Sequence, residues 1–318
     1  MPFINDDTDE SENQYIDGKW SPKLSKIFTD EQGWSSQTGF RFQRAGIVST
    51  KLQAGIYRFE KNDHGLFFEK QTFPTDEAVS LPGLPTDYIL NQIQYFWDRS
   101  AKYQEHHLLH KRGILLYGTP GCGKTSIARL LCNKIIEQDG VVFSIDDFEI
   151  ATQAVGEFRS VEPHRPIMTI QEDIEGYFDG TAGPAQLKAA LSFLDGQDQT
   201  NHVLHLATTN EPEKLADKFI KRPGRFDLII GIHNPSEETR EAYLRHISSN
   251  LSDEQLNTLV KNTAGLSLAY LRELISTYVC LEIPLQETLD RLKMDAKKKV
   301  LKNPGNSGQF GFTVGYNT

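Results

Sequence analysis

The sequence has few cysteines and none of the spacings that build a metal site or a disulfide framework. Its three cysteines, Cys122, Cys132 and Cys280, include no CxxC pair, which favours reduced thiols in a reducing compartment. No HExxH motif occurs, and in HHLLH (residues 106–110) a histidine stands where a zinc protease carries its glutamate. We therefore expect neither a disulfide-stapled domain nor a fused zinc protease.

Long apolar runs are also missing, and basic residues are outnumbered. No stretch is apolar for the roughly 18 residues that a membrane helix needs, and the first residues lack the basic and then apolar pattern of a signal peptide. We therefore expect a cytoplasmic protein without a membrane segment. Lys and Arg total 34 against 43 Asp and Glu, a net charge of -9, which argues against nucleic acid as a partner.

The chain has 318 residues, which exceeds the usual size of one domain. The amino-acid composition changes within the first 74 residues. Residues 1–38 begin with an acidic stretch typical of a solvated tail, so we expect a largely flexible segment. In residues 39–74, two aromatic-rich runs flank KNDHG. This pattern predicts a hairpin with Asn62, Asp63 and Gly65 in its turn, within a small β-rich N-terminal domain.

Residues 75–234 have the pattern of an α/β fold. Helical stretches separate several of the apolar runs GILLYG, VVFSI, IMTIQ, VLHLATT and LIIGI, which predicts a five-stranded parallel sheet with helices on both faces. The strands stop at residue 235, and four helical patterns up to residue 303 predict a helical subdomain. The second of these helices opens with a capping box of Ser252 and Gln255. Residues 304–318 are expected to be a flexible tail.

The first apolar run leads directly into a phosphate-binding motif. GTPGCGKT, residues 118–125, fits GxxxxGK[ST] between a predicted strand and a predicted helix. The glycines let backbone N–H groups turn towards a phosphate, Lys124 adds a positive charge, and Thr125 offers a hydroxyl to Mg²⁺. A phosphate group with Mg²⁺ is the expected ligand. The predicted nucleotide-binding residues here are Thr119, Pro120, Gly121, Cys122, Gly123, Lys124, Thr125 and Ser126.

Cys122 occupies a variable position of this motif. The main interpretation is a residue that only fills space, and the alternative is an oxidation-sensitive brake on nucleotide binding. The two interpretations differ in the reactivity that they require of the thiol.

Phosphoryl transfer also needs carboxylates on a neighbouring strand, to hold the metal and to orient the attacking water. IMTIQED supplies Glu172 and Asp173, and at this point the chain resembles the AAA ATPases, ring-forming members of the P-loop class. In that family the strand usually ends in Asp-Glu. The resemblance implies that Glu172 holds the metal and Asp173 polarises the water, with the two residue types swapped. The resemblance also implies that the bound phosphate belongs to ATP. A working ATPase is expected, with a slow or binding-only site as the alternative.

The swapped acids resemble the branch that includes the mitochondrial Rieske-protein translocase and its bacterial and phage relatives. Gln171 stands at a position that is usually apolar in the family, and nothing in the sequence explains it.

Three further stretches resemble the same family. In VLHLATTNEPEKL, Asn210 is placed to hydrogen-bond the attacking water or the γ-phosphate. IKRPGRFDLII puts Arg222 and Arg225 where the family presents two arginines to the nucleotide of the next subunit. TAGLSLAYLRELI resembles part of the family's helical lid, where Gly265 and Ala269 would line the adenine side of the pocket.

The resemblance also implies the assembly and its work. Arginines that complete a neighbour's site imply a homo-oligomer, a hexamer in most of the family and a heptamer in the Rieske-translocase branch. We expect an ATP-hydrolysing ring that remodels or translocates an unidentified protein partner. A nucleic-acid-associated motor or loader and a nucleotide-gated oligomeric scaffold are the alternatives.

Two features of the expected ring stay open from the sequence. IATQAVGEFRS, residues 150–160, lies where a polypeptide-threading loop would be, with Phe158 as a substitute for the missing aromatic residue, or forms an ordinary connection. Arg272, in the predicted lid, is expected to be an outward-facing charge, with a nucleotide-sensing role as the alternative.

Overall fold

A computed structural model describes residues 14–16, 19–21, 33–35, 40–45, 50–72, 79–177, 183–195, 201–215 and 224–302. Arg222 and the predicted tail, 304–318, lie outside the described residues.

The strands are β1 Gln14–Ile16, β2 Lys19–Ser21, β3 Gly33–Ser35, β4 Arg41–Ala45, β5 Gly55–Asn62, β6 Gly65–Gln71, β7 Lys111–Tyr117, β8 Val141–Ser144, β9 Ile167–Gln171, β10 Val203–Thr209 and β11 Leu228–Gly231. The α-helices are α1 Thr86–Trp97, α2 Ser100–Glu105, α3 Lys124–Glu137, α4 Phe148–Val161, α5 Gly183–Asp195, α6 Glu237–Ile247, α7 Asp253–Asn262, α8 Leu268–Ile275 and α9 Leu285–Lys302. Short 3-10 turns cover Ile174–Tyr177 and Pro212–Lys214, and a π-helical turn covers Ser276–Cys280.

The predicted parallel sheet is confirmed. Strands β11, β7, β10, β9 and β8 lie side by side in that order and pair in parallel. Alternate residues of these strands enter two cores: Ile114 packs with residues of α1 and α3, whereas Leu115 packs with residues of α4 and α5. Because both faces are covered, the strands are apolar throughout rather than alternating.

The N-terminal strands do not form a separate domain, which corrects the prediction for residues 39–74. The hairpin of β5 and β6 is present, with Asn62 opposite Gly65 at its turn. However, β5 also pairs in parallel with β8, so the sheet continues as a nine-stranded sheet through β5, β6, β4 and β3. Tyr57 and Phe68 are buried in the same core as Phe143. The aromatic alternation predicted the strands, but the identity of the pairing strand depended on this shared core.

Residues 1–38 were predicted to be largely flexible, but part of this segment packs against the rest of the fold. Trp34, in β3, is 1% exposed, and its Nε1 donates to Glu162 Oε1 at 2.9 Å. The backbone N–H of Leu52 donates to the same carboxylate oxygen at 2.6 Å. Arg165 donates to the other oxygen, Oε2, also at 2.6 Å. Glu162 therefore ties the N-terminal strands to the end of α4.

Residues 150–160 lie inside α4, so they form neither the threading loop nor the ordinary connection that the sequence left open. The helix begins where the Asp147 side chain accepts from the backbone N–H groups of Glu149 and Ile150. Val155 and Phe158 are buried, and Phe158 stacks on Trp34 at 6.0 Å between ring centroids. An aromatic side chain in the core is not available to grip a passing polypeptide.

The four helices predicted after residue 235 are present as α6 to α9. The capping box of Ser252 and Gln255 is confirmed at the start of α7. Leucines of these helices form their own core, which also takes in Leu81 from the segment before α1. We call this unit the lid. Within the described ranges, no helix has the length and apolar content needed to cross a membrane.

Candidate nucleotide-binding site

A cavity of about 780 Å³ lies between the carboxyl end of the parallel sheet and the lid. Its walls come from the loop after β7, the start of α3, the residues after β9 and β10, and the exposed face of α8. Ligands of open α/β sheets bind at this edge because the loops that follow the strands converge there. Several of the predicted site residues line the cavity: Pro120, Gly121, Gly123, Lys124, Thr125, Ser126, Asp173, Asn210 and Ala269.

Two glycines shape the loop between β7 and α3. Gly121 and Gly123 have φ angles of 80° and 105°, a left-handed conformation that strongly favours glycine. A Cβ on Gly121 would also lie 2.6 Å from the Cβ of Ala269. Because α3 begins at Lys124, the unpaired N–H groups of its first turn face the cavity and suit an anion.

Lys124 is held by the loop itself and by Asn210. Its Nζ donates to the carbonyl oxygens of Gly118 and Thr119 at 2.8 and 3.2 Å, and to Asn210 Oδ1 at 2.7 Å. Burial lowers the pKa of Lys124, although Asp173 is among the groups that oppose the shift. The ammonium group thus sits at the centre of the loop between β7 and α3, residues 118–123, which we call the phosphate loop.

Asp173 completes a connected polar cluster with Lys124 and Asn210. Asn210 Nδ2 donates to Asp173 Oδ1 at 2.7 Å, while its Oδ1 accepts from Lys124. The backbone N–H of Asp173 donates to Thr208 Oγ1 at 3.2 Å. Burial, and then the nearby Glu175, raise the pKa of Asp173, which improves its ability to accept a proton.

The two other acids near the cavity, Glu172 and Glu175, differ in their positions. Glu172 is exposed, and it is not among the described residues that line the cavity. Thr125 does line the cavity. The role of Glu172 as a metal ligand stays a prediction. Glu175, which the sequence reasoning missed, accepts from the Asn210 backbone N–H at 3.0 Å. Its spacing two residues after Asp173 was the available signal, because the chain turns immediately after the strand.

The residues that meet here fit a nucleotide with Mg²⁺. The N–H groups at the start of α3 and the Lys124 ammonium suit phosphate oxygens, and the Thr125 hydroxyl on the cavity wall is an oxygen ligand of the kind that Mg²⁺ prefers. Over the described part of the chain, no cluster of three or more His, Cys, Asp or Glu side chains could hold a metal. Mg²⁺ does not require one, because it is usually held by one or two carboxylates together with substrate phosphates.

The lid contacts the phosphate loop directly. The backbone N–H of Ala269 donates to the carbonyl oxygen of Gly121 at 3.1 Å. Ala269 and Arg272, on one face of α8, line the cavity together with Ser276 from the π-helical turn that follows. The expectation that Arg272 faces away from the site was therefore wrong. Gly265 is not among the described lining residues, and its carbonyl oxygen accepts from Asn234 Nδ2 at 3.1 Å.

The position of Arg272 predicts a contribution to nucleotide affinity. Replacing it with alanine is expected to weaken ATP binding by roughly 2- to 5-fold, because an exposed charged contact contributes up to about 1 kcal/mol. Titration of a fluorescent ATP analogue measures the effect. Lys261→Ala removes an exposed lid cation from α7 and should bind normally; equal affinity of the Arg272→Ala protein would contradict a role in binding.

Arg225 does not lie at the surface. Its side chain is 3% exposed, its Nη2 donates to Asp195 Oδ1 at 3.1 Å, and its Nε lies 3.0 Å from Asp195 Oδ2. Asp195 is the last residue of α5. In this conformation the guanidinium is paired with Asp195 of the same chain, so its action on a neighbouring subunit stays a prediction that requires release from Asp195.

The buried pair predicts a stability effect for Arg225. Arg225→Ala is expected to lower the free energy of unfolding by about 3 kcal/mol or more, because it removes one partner of a buried ion pair. Chemical denaturation measures this loss, and the double variant Arg225→Ala with Asp195→Ala should recover part of it. Unchanged stability together with lost ATP turnover would instead indicate an arginine that acts on a neighbouring subunit.

The thiol of Cys122 is buried within the loop. Its Sγ lies 2.7 Å from Thr119 Oγ1 and 3.2 Å from Asn234 Oδ1. Burial raises the pKa of this thiol, which disfavours the reactive thiolate. These contacts support the space-filling interpretation over an oxidation-sensitive brake.

Comparison with known proteins agrees with this geometry. Residues 114–234 match the family described as ATPase family associated with various cellular activities (AAA). ATP-dependent zinc metalloprotease FtsH from Aster yellows witches'-broom phytoplasma is 32% identical over 243 residues, 67% of this chain and 35% of that protein. FtsH from Clostridium perfringens is 29% identical over 237 residues, 69% of this chain and 32% of that protein.

A third relative, from Corynebacterium diphtheriae, is named an AAA ATPase forming ring-shaped complexes. It is 28% identical over 186 residues, 50% of this chain and 36% of that protein. The chain thus spans about a third of the length of the relatives it matches. The phosphate loop, the polar cluster at the sheet edge and these matches together show that the chain contains an AAA ATPase domain.

Proposed function

We propose that the protein is a ring ATPase that hydrolyses ATP to ADP and phosphate and uses the energy to remodel or translocate a protein partner. The observation that carries the proposal is the hydrogen-bonded cluster of Lys124, Asn210 and Asp173. This cluster lies at the carboxyl end of the parallel strands and faces the lid. It combines a cation for phosphate, an amide for orientation and a carboxylate for water in one cavity.

The residues divide the chemistry among them. Lys124 and the N–H groups at the start of α3 bind phosphate oxygens and stabilise the charge that develops during transfer. Asp173 accepts a hydrogen bond from the attacking water and takes up its proton, which its raised pKa favours. Asn210 holds the Asp173 carboxylate at one side of its amide and Lys124 at the other. Bound Mg²⁺ would supply positive charge to the phosphates.

Glu172 and Thr125 are proposed as the protein groups on the metal side. The support for Thr125 is its position on the cavity wall at the start of α3. The support for Glu172 is its place next to Asp173 directly after β9. The swapped order of the acids supports placement in the branch that includes the mitochondrial Rieske-protein translocase.

We propose that the protein assembles as a homo-oligomeric ring and that this ring is a hexamer. The ring-shaped complexes named for the corynebacterial relative support it, as does the predicted role of Arg222 at a neighbour's nucleotide. A protein partner is preferred over nucleic acid because the chain carries a net charge of -9. The strands β3 to β6, which extend the sheet beyond the ATPase domain, offer a surface for choosing that partner.

Phosphate release by the purified, assembled protein at saturating ATP and Mg²⁺ tests the activity. We expect turnover, with further stimulation by an unfolded protein and none by DNA or RNA. Stimulation by nucleic acid alone would favour the motor or loader function. Absence of turnover in an assembled ring would overturn the ATPase proposal and favour a nucleotide-gated scaffold.

A further inference from the structure

The backbone N–H of Asn210 is held by a side chain from the neighbouring turn. Asn210 directly follows β10, whose pairing with β7 ends at Thr209 and Tyr117. Asn210 therefore lies beyond the ladder, and its part-buried N–H needs a partner from elsewhere. Glu175 supplies that partner, because its Oε1 accepts from the Asn210 N–H at 3.0 Å. A carboxylate thus takes the place that a backbone carbonyl would have in the sheet.

The backbone after β9 turns so that Glu175 comes back to β10. Asp173 has a φ angle of 49°, in the left-handed region that residues other than glycine adopt infrequently. The N–H of Gly176 donates to the carbonyl oxygen of Asp173 at 3.2 Å and closes the turn. The N–H of Asp173 donates to Thr208 Oγ1 at 3.2 Å. The turn is therefore fixed to the end of β10 at two points, by the Asp173 backbone and by the Glu175 side chain.

These contacts close a ring between the turn and Asn210. Glu175 holds the Asn210 backbone, and Asn210 Nδ2 donates to Asp173 Oδ1 at 2.7 Å. Asp173 and Glu175 are two residues apart, so the ring runs from one acid through Asn210 to the other. Asn210 Oδ1 also accepts from Lys124 Nζ at 2.7 Å. Fixing the Asn210 backbone therefore fixes the direction of an amide that contacts both the cation and the proposed base.

Glu175 differs from the other two groups that hold Asn210. In the proposed reaction Lys124 binds phosphate oxygens and Asp173 takes up a proton from water, so both have further partners during turnover. The contact from Glu175 goes to a backbone N–H and does not compete with either task. A misplacement of about 1 Å can reduce catalysis by roughly 100-fold, so a contact that persists while the others change keeps the amide in place.

We propose that Glu175 is a positioning residue: its carboxylate ties the Asn210 backbone to the turn of Asp173 and so sets the direction in which the Asn210 amide meets Asp173 and Lys124. The effect on turnover rests on the proposed ATPase function. The hold on the Asn210 backbone does not.

Two variants of Glu175 separate the position of this side chain from its charge, which also raises the pKa of Asp173. Glu175→Gln removes the charge but keeps the length and an oxygen that accepts from the Asn210 N–H. Glu175→Asp keeps the charge but is one methylene shorter and should lose the contact. We expect kcat for ATP to fall about 10-fold in Glu175→Asp with KM within about threefold, and to stay within about threefold of the wild type in Glu175→Gln.

Hydrogen exchange of the Asn210 amide is a second measurement that needs no hydrolysis. Exchange should become about 10-fold faster in Glu175→Asp, because its acceptor is lost, and stay within about twofold of the wild type in Glu175→Gln. The melting temperature should change by less than about 4 °C in both variants, since one part-buried hydrogen bond is at stake.

Asn210→Ala removes the amide through which Glu175 acts. Adding Glu175→Asp to this variant should lower kcat by less than about twofold further, because the two changes affect the same group. Glu213→Asp is the matched control, since Glu213 is an exposed acid in the 3-10 turn Pro212–Lys214 that follows Asn210. It should leave kcat and the exchange of the Asn210 amide unchanged.

Wild-type kcat or unchanged Asn210 exchange in Glu175→Asp would overturn the positioning role. A slow Glu175→Gln enzyme beside a normal Glu175→Asp enzyme would overturn it as well, because the effect would then come from charge. Uniformly faster exchange with a much lower melting temperature in Glu175→Asp would indicate a purely structural role and contradict the proposal. If the wild-type ring does not hydrolyse ATP, the ATPase proposal fails, and the exchange rates of the two variants still decide whether Glu175 holds Asn210.

Discussion

Asp173→Asn is expected to reduce kcat for ATP hydrolysis by at least about 100-fold while leaving ATP affinity within a few fold. Removing a positioned general base typically lowers the rate by roughly 100- to 10,000-fold. The asparagine keeps an oxygen that accepts from Asn210 Nδ2, as Asp173 does at 2.7 Å, so the cluster should stay assembled. The variant should also remain ATP-bound and stabilise the ring, which size-exclusion chromatography with ATP measures.

Glu172→Gln is the comparison variant for this experiment, because it tests the role of the second acid. Glu172 is the adjacent acid, but it is exposed and does not line the described cavity. If it acts on the metal side, its loss should raise the Mg²⁺ concentration needed for turnover. If Asp173→Asn retained the wild-type rate while Glu172→Gln did not, the assignment of the two acids would have to be reversed.

Lys124→Ala is expected to weaken ATP binding by roughly 100-fold, since a charged hydrogen-bonding group in such a site contributes about 1.5–3 kcal/mol. The same change removes the donor of the three contacts that Lys124 makes with Gly118, Thr119 and Asn210. Isothermal titration calorimetry with ATP and Mg²⁺ measures the affinity. Lys124→Met, which keeps most of the side-chain volume, separates lost charge from lost packing and should bind equally poorly.

Lys134→Ala is the control on the same helix, because Lys134 is exposed and its ion pair with Glu137 spans 3.7 Å at the surface. Its affinity should match the wild type. Tight ATP binding by a folded Lys124→Ala protein would mean that the loop does not bind phosphate in the way proposed.

The local site features were predictable because they depend on short sequence spacing. GxxxxGKT places Lys124 at the start of a helix whatever packs around it, and an acid directly after a buried parallel strand lies at the sheet edge. Glu175 and Arg272 were missed or misjudged for the opposite reason. Glu175 joins the cluster through a contact with Asn210, 35 residues away in sequence, and Arg272 faces the cavity because the lid folds over it.

By itself, the sequence determined the parallel strands, the phosphate loop, the acids after β9 and the helices of the lid, since each follows from hydrophobic periodicity or a short motif. The tertiary structure alone decided that β5 joins β8, that Phe158 is buried and that Arg225 pairs with Asp195. These outcomes depend on contacts between residues distant in the chain. Local sequence patterns indicate which surfaces are apolar and must be buried. The packing of the whole chain decides which other surface buries each of them.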